Sequence, residues 1–472
     1  MQKWWPRSLV AIALVVGCKS PNEEFCCLTA SECEAHGVSG ETRPCDPGLA
    51  CKSNACVAAS CSTEGCAATA PTCDTATDVC VGCSASSECS RFPDTDVCDT
   101  SSGSCVECIV GADCEAERPV CDEGTCRGCY LDSECESGAC GSEGRCVAES
   151  DIVYVAPNGS NIGTCDHLAP CKGLGFAVSK TTSVRHHIVM AVGTYVDSLY
   201  VTTDRTTAPS LVVHGSGSRL DPPPSFETSL ITVLDVAIQL RDLEVVGYGV
   251  APSTAIIRAT LGPSVIERVK FINSGGFGTN GAVTLRDVSI QNPVSSGVDF
   301  AGTLTLERVV ISGGVTGVIT NTIGSAIDAT NLYVSGTSDV AIDLRNAMGV
   351  VRFSTVADSG SDAGTGPRAF VCNSTVSVLS SIIWAPGISP RLSIGGLSQG
   401  NDCPLTSVIA GPTPVAGASN SDPLFENASA GNYHITSASP ARDAVTVGPD
   451  VDFENDSRPE GVRFDIGADE AH

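Results

Sequence analysis

Apolar and polar residues alternate through the middle of the chain in a frame that recurs about once every twenty residues. Each copy reads small/apolar-x-apolar-x-x-small/apolar-x-apolar, and successive copies begin 19 to 27 residues apart. Alternation predicts a strand with one buried face, and the two-residue interruption predicts a corner into a second short strand. A unit repeated at this length predicts stacked coils, and the pattern is that of a parallel β-helix with one coil per unit. The seven copies begin at Ile238, Ser264, Val283, Leu304, Ile327, Gly349 and Val376.

The two residues at the predicted corner support this register independently. Stacked strands lie about 4.8 Å apart, so alternating charges at one position would each lie beside an opposite charge, whereas like charges would be destabilising. We interpret eight corner residues as a device that fixes the register, and a catalytic acid–base patch is the alternative. These residues are Arg241-Asp242, Glu267-Arg268, Arg286-Asp287 and Glu307-Arg308.

Length and charge limit the remaining possibilities. At 472 residues the chain has room for two or three domains. Its formal net charge is −27, and residues 19–150 carry 24 acidic against 7 basic side chains. So acidic a surface argues against nucleic acid and anionic lipid as direct partners, and it is compatible with divalent cations.

The first 18 residues predict export. Lys3 and Arg7 precede an apolar run at 9–16 that is too short to cross a bilayer of about 30 Å. Basic, apolar and then small residues are typical of a signal peptide. Residues 15–18, VVGC, resemble a bacterial lipobox, a motif whose cysteine is lipidated and becomes the new N-terminus. The resemblance implies lipidation at Cys18 and a membrane contact through the lipid anchor. Because Lys19 rather than Asp follows, it also implies the outer membrane or the cell surface.

Residues 19–150 form a cysteine-rich region. Of the 27 cysteines, 22 lie between Cys26 and Cys146. From Cys61 onward they fall into groups of four, and units of about 20 residues bury too little apolar surface to fold without disulfides. Zinc is the alternative, because C-x2-C pairs join the groups; the spacing does not determine the disulfide connectivity. Acidic residues recur beside the cysteines: Glu88, Asp99, Asp113, Asp122 and Glu134. The region resembles Cys-rich repeats of exported myxobacterial proteins, which suggests a stalk or contact module.

A second region begins at Asp151. Its opening, Ile152 to Ser160, and the segments at 169–172 and 176–178 resemble the entry of bacterial pectate-lyase-like proteins. That resemblance implies a right-handed parallel β-helix, a short capping helix at about Leu174–Lys180, and first-coil strands at 188–190 and 193–195. Cys165 and Cys171 are expected to bridge the entry loop. A solenoid needs such an atypical end unit. The β-helix is assigned to residues 151–420.

Residues 421–472 form a distinct tail. The segments SDPLF at 421–425, YHI at 433–435, SASPARD at 437–443 and DIGADE at 465–470 resemble, in that order, the end of choice-of-anchor Q domain proteins. These are surface β-helix proteins whose anchoring differs between members, so the resemblance implies fold and location rather than activity. Cys372 and Cys403 are expected to pair across the seventh coil.

Candidate chemistry is sparse. The first candidate is a ligand site formed by Asp358, Asp362 and Arg368 on the long loop beside the sixth coil, because functional residues often lie on loops held by a rigid scaffold. A solvated turn is the alternative.

The second candidate is a metal site. Asp450, Asp452, Glu454 and Asp456 could bind Ca²⁺ through carboxylate oxygens, although neighbouring arginines compete for them. His186 and His187 are expected to point to opposite faces of a strand and therefore not to share a metal. No other cofactor is predicted.

The sequence therefore favours an exported, lipid-anchored, all-β protein that presents its β-helix for binding a polysaccharide or a surface protein. We predict that it is not catalytic. A polysaccharide lyase or glycoside hydrolase is the alternative, and it would need two convergent carboxylates and a basic residue in a groove.

Overall fold

The computed structural model describes residues 49–52, 55–58, 61, 65–223, 230–247, 257–260, 263–273, 277–359, 369–385, 403–412 and 414–471. The predicted lipidation site at Cys18 lies outside these residues. The described chain is almost entirely β and forms two compact units. One contains the residues up to Tyr130 together with Ser142–Arg145, and the other contains Leu131–Gly141 and everything from Cys146 onward.

The first unit consists of small hairpins held by disulfides. Within three of the groups of four cysteines, the first pairs with the third and the second with the fourth: Cys61–Cys73, Cys66–Cys80, Cys83–Cys98, Cys89–Cys105, Cys108–Cys121 and Cys114–Cys126. Each C-x2-C pair among these joins two consecutive groups, which explains the spacing without zinc. The strands are β1 (Leu49–Lys52), β2 (Ala55–Ala58), β3 (Thr72–Asp74), β4 (Val79–Val81), β5 (Val97–Asp99), β6 (Ser104–Val106), β7 (Val120–Asp122) and β8 (Thr125–Arg127).

The acidic residues beside these cysteines stabilise turns. Glu88 accepts hydrogen bonds from the N–H groups of Ser84 (2.6 Å) and Ala85 (3.2 Å), and these bonds hold its pKa below the usual value. Asp113 caps the turn of the next group in the same way. Asp99 accepts the Ser101 N–H at 2.9 Å and Glu134 the Leu131 N–H at 3.0 Å. Four of the five recurring carboxylates thus satisfy backbone donors.

The second unit is a parallel β-helix, as the sequence predicts. Its strands are β9 (Ile152–Val155), β10 (His187–Met190), β11 (Thr194–Val196), β12 (Leu199–Thr202), β13 (Ser210–Asp221), β14 (Ile231–Leu234), β15 (Ala237–Val246), β16 (Ile257–Thr260), β17 (Ser264–Glu267), β18 (Lys270–Ile272), β19 (Phe277–Gln291), β20 (Ser296–Ser312), β21 (Thr316–Ile319), β22 (Ser325–Ser335), β23 (Ile342–Asp343), β24 (Ala347–Arg352), β25 (Thr355–Ala357), β26 (Phe370–Val371), β27 (Val376–Leu379), β28 (Ile382–Trp384), β29 (Leu405–Thr406) and β30 (Ile409–Gly411).

Three sheets run along the helix, because each coil contributes up to three strand segments. We number the sheets in the order in which the chain passes through them in each coil. The first sheet contains the strand segment before the corner of the predicted frame, and the second sheet contains the segment after it. The first sheet stacks one inward residue per coil: Val153, Ile188, Val213, Leu240, Ile266, Leu285, Leu306, Ala329, Val351, Val378 and Leu405. All of these except Leu405 are buried in one continuous core.

A left-handed residue makes the corner between the first and second sheets. Asp242, Arg268, Asp287 and Arg308 have φ between 52° and 54°, and Asn331 occupies the same position in the next coil with φ 55°. A single residue in this conformation turns an extended chain sharply. The two-residue interruption of the hydrophobic frame therefore corresponds to a real bend.

The predicted charge columns are confirmed. Arg241, Glu267, Arg286 and Glu307 are register partners in successive strands. Glu267 lies 3.3 Å from Arg241, and Arg286 lies 2.6 Å from Glu307. In the second column Arg268 Nε lies 2.7 Å from Asp242 and Arg308 Nη2 lies 3.0 Å from Asp287.

Within these columns, we expect replacement of Glu267 to have the largest effect on stability. Its side chain is 13% exposed and faces Arg241, Arg268 and Arg286. We expect Glu267→Gln to lower the free energy of unfolding by about 2 kcal/mol, since charged hydrogen-bonding partners lose their counter-charge. Glu307→Gln is the control, because Glu307 is 37% exposed and should cost about 1 kcal/mol or less. Equal losses in urea unfolding would show that burial does not strengthen the column.

Short elements close the two ends. Helix α1 (Leu174–Val178) buries Leu174 and Val178 at the entry, and the expected disulfides Cys165–Cys171 and Cys372–Cys403 are both present. The tail contains strands β31 (Phe425–Asn427) and β32 (Asn432–Ile435), which pair antiparallel. None of the helices in the described part of the chain is both long and apolar enough to span a membrane.

Candidate functional site

The predicted ligand loop is only partly within the described residues. Asp362 and Arg368 lie outside them. Asp358 occupies a coil corner with φ 45°, and its Oδ2 accepts a hydrogen bond from the Tyr433 hydroxyl at 3.2 Å. Asp358 therefore contacts the tail, and the proposed joint site with Asp362 and Arg368 stays a prediction.

The four carboxylates predicted to bind Ca²⁺ belong to one turn, in which they have different roles. Asp452 is fully buried, and its Oδ1 accepts hydrogen bonds from the N–H groups of Glu454 (2.8 Å) and Asp456 (2.9 Å). Burial raises the pKa of Asp452 despite these bonds. The Asp450 carbonyl accepts the Arg458 N–H at 2.8 Å. Asp452 thus organises the turn, while Ca²⁺ binding by the set stays a prediction.

The outer face of the first sheet carries a regular array of mostly polar side chains. One outward column contains Thr284, Thr305, Asp328 and Val350, and the next contains Arg286, Glu307, Thr330 and Arg352. Arg352 Nη2 lies 2.8 Å from Asp328 Oδ1, and its Nε donates to the Thr330 hydroxyl at 2.8 Å. Asp328 is 49% exposed and Arg352 39%. We call the surface formed by these eight residues the open face.

The same sheet is covered in its first coils by Leu131–Gly141, which we call the cover segment. Ala139 packs in a cluster with Ile152, Tyr154 and Val189, whose side chains lie on the outside of the first strands. The Tyr154 hydroxyl also donates to the Ser137 carbonyl at 3.2 Å. The final part of the Cys-rich region is therefore packed on the β-helix.

A buried polar network fixes the cover segment. Asp132 Oδ1 accepts the Cys140 N–H at 2.8 Å and lies 2.8 Å from Nδ1 of the fully buried His214. His214 Nε2 in turn lies 3.0 Å from His187 Nδ1. Arg241 Nη1 donates to the Cys140 carbonyl at 2.8 Å. The Asp132–Cys140 hydrogen bond lies within the cover segment, whereas the contacts of Asp132 with His214 and of Cys140 with Arg241 join the segment to the coils. The His214–His187 contact joins adjacent coils.

The network shifts the pKa values of two members in the same direction. Burial raises the pKa of Asp132, but the hydrogen bond and charge of His214 outweigh this effect, so the pKa is lowered overall. Burial, assisted by His214, His186 and Arg241, lowers the pKa of His187 to about 3. The network therefore stabilises the charged form of Asp132 and the neutral form of His187.

The expectation that His186 and His187 point apart was wrong. Their ring centroids are only 4.6 Å apart. His186 precedes β10, which begins at His187, so strand alternation does not apply to it.

The outer face of the second sheet is polar in its early coils and apolar later. Its outward column runs from Glu244, Lys270 and Ser289 to Val310, Tyr333, Thr355, Ile382 and Ile409. The tail covers the apolar part: Phe453 stacks on Tyr333 at 4.9 Å, and Ile435 and Ile466 pack with Ile382 and Ile409. This change along one column was the sequence signal that could have located the tail.

Arg458 lies at the centre of the tail. Its side chain is fully buried, and its Nε lies 2.7 Å from the buried Glu470 Oε2. Its other nitrogens donate to the carbonyls of Asp465 (2.8 Å) and Gly467 (3.2 Å). Its guanidinium carbon lies 5.1 Å from the centre of the Phe353 ring, at a coil corner. The buried guanidinium of Arg458 thus contacts both the DIGADE segment and a coil corner, and it links the two.

Part of the chain matches a known protein family. Residues 59–153 match a family of unknown function, DUF8331. No curated protein matches the sequence significantly. Among solved structures, the pectate lyase Pel9A is similar with a TM-score of 0.41 and 12% identity, over 68% of this chain and 96% of that one. The parallel β-helix is established here by the strand register itself.

Proposed function

We propose that this protein is an exported, lipid-anchored surface protein whose open face binds an extended polysaccharide without cleaving it. The observation that carries the proposal is the regular polar array of the open face, beside a cover segment and a tail that occupy other outer surfaces. The disulfides support an oxidising compartment. The lipobox-like VVGC and the resemblance of the tail to choice-of-anchor Q proteins support a surface location.

The chemistry of the open face suits a polymer with repeated hydroxyl groups. Threonine hydroxyls and Arg–carboxylate pairs recur from coil to coil at strand spacing, about 4.8 Å. They offer both donors and acceptors, and their formal charges cancel. An acidic chain of net charge −27 also disfavours a polyanion. We therefore favour a neutral polysaccharide.

Binding without turnover is favoured by how the carboxylates are used. In the described part of the first sheet, Glu267, Glu307 and Asp328 each pair with arginine. Glycoside hydrolysis needs a protonated carboxyl and a second carboxylate across the scissile bond, and carboxylates held by arginine are poor proton donors. A lyase or hydrolase remains the competing function that the experiment distinguishes.

The test is a screen of the whole oxidised protein against neutral and acidic polysaccharides, with and without Ca²⁺. Binding is followed by affinity electrophoresis, and cleavage by new reducing ends or unsaturated products. We expect retardation by a neutral polymer and no products. Turnover would replace the proposal with catalysis, and absence of both binding and turnover would reject it in favour of a protein partner.

Variants connect binding to the open face. Asp328→Ala with Arg352→Ala removes an exposed pair that should cost stability about 1 kcal/mol or less. We expect the dissociation constant for the bound polymer to rise at least about tenfold. Arg219→Ala is the matched control, because Arg219 is 44% exposed and pairs with Glu244 on the second sheet. Equal affinity in both variants would place the ligand elsewhere.

A further inference from the structure

The tail brings one histidine and two carboxylates together from three separate stretches. His434 lies on β32, Glu454 in the turn organised by Asp452, and Asp469 in the DIGADE segment. One ligand atom from each lies within 4.8 Å of the other two. No step of the proposed polysaccharide binding uses them.

Asp469 fixes the orientation of the imidazole. Its side chain is 5% exposed, its Oδ1 lies 2.8 Å from His434 Nδ1, and its Oδ2 accepts the Ile435 N–H at 2.7 Å. A carboxylate on Nδ1 keeps the proton there and directs Nε2 outward. Metal-binding histidines commonly have this arrangement, in which the carboxylate sets the tautomer and raises the basicity of the free nitrogen.

The free nitrogen faces Glu454 at the spacing of two metal ligands. His434 Nε2 lies 3.6 Å from Glu454 Oε2, which is beyond a good hydrogen bond. Two ligands with bonds of about 2.0–2.1 Å to one tetrahedral ion lie about 3.4 Å apart. A small change in the Glu454 side chain, which is 48% exposed, would therefore complete the pair.

The surroundings of the pair are both rigid and negative. The Phe453 ring lies 5.5 Å from the His434 ring and is itself stacked on Tyr333. Asp469 Oδ1 lies 2.8 Å from His434 Nδ1 and Glu454 Oε2 lies 3.6 Å from Nε2, so carboxylates lie beside both ring nitrogens. The same negative potential attracts a divalent cation, and a proton on Nε2 is its competitor.

We propose that His434 Nε2 and the Glu454 carboxylate bind a divalent zinc-like ion, with Asp469 as the positioning residue. Imidazole nitrogen favours zinc and its neighbours, whereas Ca²⁺ requires six to eight oxygens. Water would fill the remaining positions. Because the ligands come from β32 and the turn at 450–456, the ion would link two segments of the tail.

The test uses the whole oxidised protein with any free thiols alkylated and EDTA removed. Zn²⁺ is titrated calorimetrically at about pH 8, where the proton competes less than at neutral pH. We expect one ion to bind with a micromolar dissociation constant. His434→Gln and Glu454→Gln should each weaken binding at least about tenfold, while the exposed His167→Gln should not change it.

Melting in EDTA separates loss of the site from loss of the fold. If His434→Gln melts early even in EDTA, Glu454→Gln, whose side chain is half exposed, decides the question. Unchanged zinc affinity in Glu454→Gln, or no uptake by the wild type at about 100 µM Zn²⁺, would overturn the proposal. Either result would leave the three residues as an ion-paired cluster only.

Discussion

Arg458→Met is expected to release the tail from the β-helix. The substitution leaves the buried Glu470 without its counter-charge and the carbonyls of Asp465 and Gly467 without their donor. Breaking a buried ion pair from one side costs about 3–5 kcal/mol. Because the tail covers Tyr333 and Ile382, its loss would also expose apolar surface on the second sheet.

Urea unfolding and limited proteolysis measure this effect. We expect early cleavage between residues 421 and 471 in the variant, followed by a lower unfolding midpoint. Arg442→Met is the matched control, because Arg442 is 32% exposed and lies 3.8 Å from Asp443, so it should cost about 0.5 kcal/mol or less. A loss below about 1 kcal/mol for Arg458→Met would contradict the structural role assigned to this residue.

Mild acid is expected to loosen the cover segment before it affects the rest of the β-helix. The folded-state pKa of His187 is lowered to about 3, so the unfolded state binds its proton first. Stability from this group is therefore lost as the pH falls below about 6.5, by at most about 1.4 kcal/mol per pH unit. Asp132 has a lowered pKa as well, and its contribution is lost only at lower pH, as the pH falls below about 4.

Burial contributes most to the lowered pKa of His187, and the groups around it modify the effect. His214, His186 and Arg241 oppose protonation, whereas Asp132 favours it. Since His187 is only partly buried, we expect a loss of about 1 kcal/mol between pH 7 and pH 5 rather than the full value of about 2 kcal/mol. Hydrogen exchange in residues 131–141 and 187–190 reports it directly.

The His187→Gln variant should lose most of this pH dependence, and His167→Gln should keep it. His167 is an exposed histidine outside the network. A slope in His187→Gln equal to that of the wild type would refute the role of His187.

The coil architecture could be predicted because it depends on local pattern. A frame with period-two alternation and a fixed corner places Ile266 over Leu240 and Glu267 over Arg241, and the strands have this register. The pairing of Cys372 with Cys403 could also be predicted, because the two cysteines flank the seventh coil in the sequence. The left-handed conformation of the corner residues could not be predicted. A residue other than glycine, such as Arg268, rarely adopts it unless the surrounding structure enforces it.

The coverings of the β-helix depend on contacts between distant segments. Asp132 belongs by its cysteine spacing to the last Cys-rich group, yet its partner His214 is 82 residues away. Asn331 donates to the Val451 carbonyl across 120 residues. Neither pairing produces a periodic pattern in the sequence from which it could be predicted. The predicted Ca²⁺ series illustrates the same limit, because an acidic run does not reveal that Asp452 is turned inward onto backbone N–H groups.

The most direct test of polysaccharide binding on the open face is a hydrogen-exchange footprint of the whole protein with the polymer that binds it. We expect protection in residues 283–286, 303–307, 325–330 and 347–352, whose outward side chains form the open face. We expect unchanged exchange in the cover segment and in residues 425–471. Protection confined to the Cys-rich hairpins or to the tail would contradict the account, and the β-helix would then serve as the support for a binding site located elsewhere.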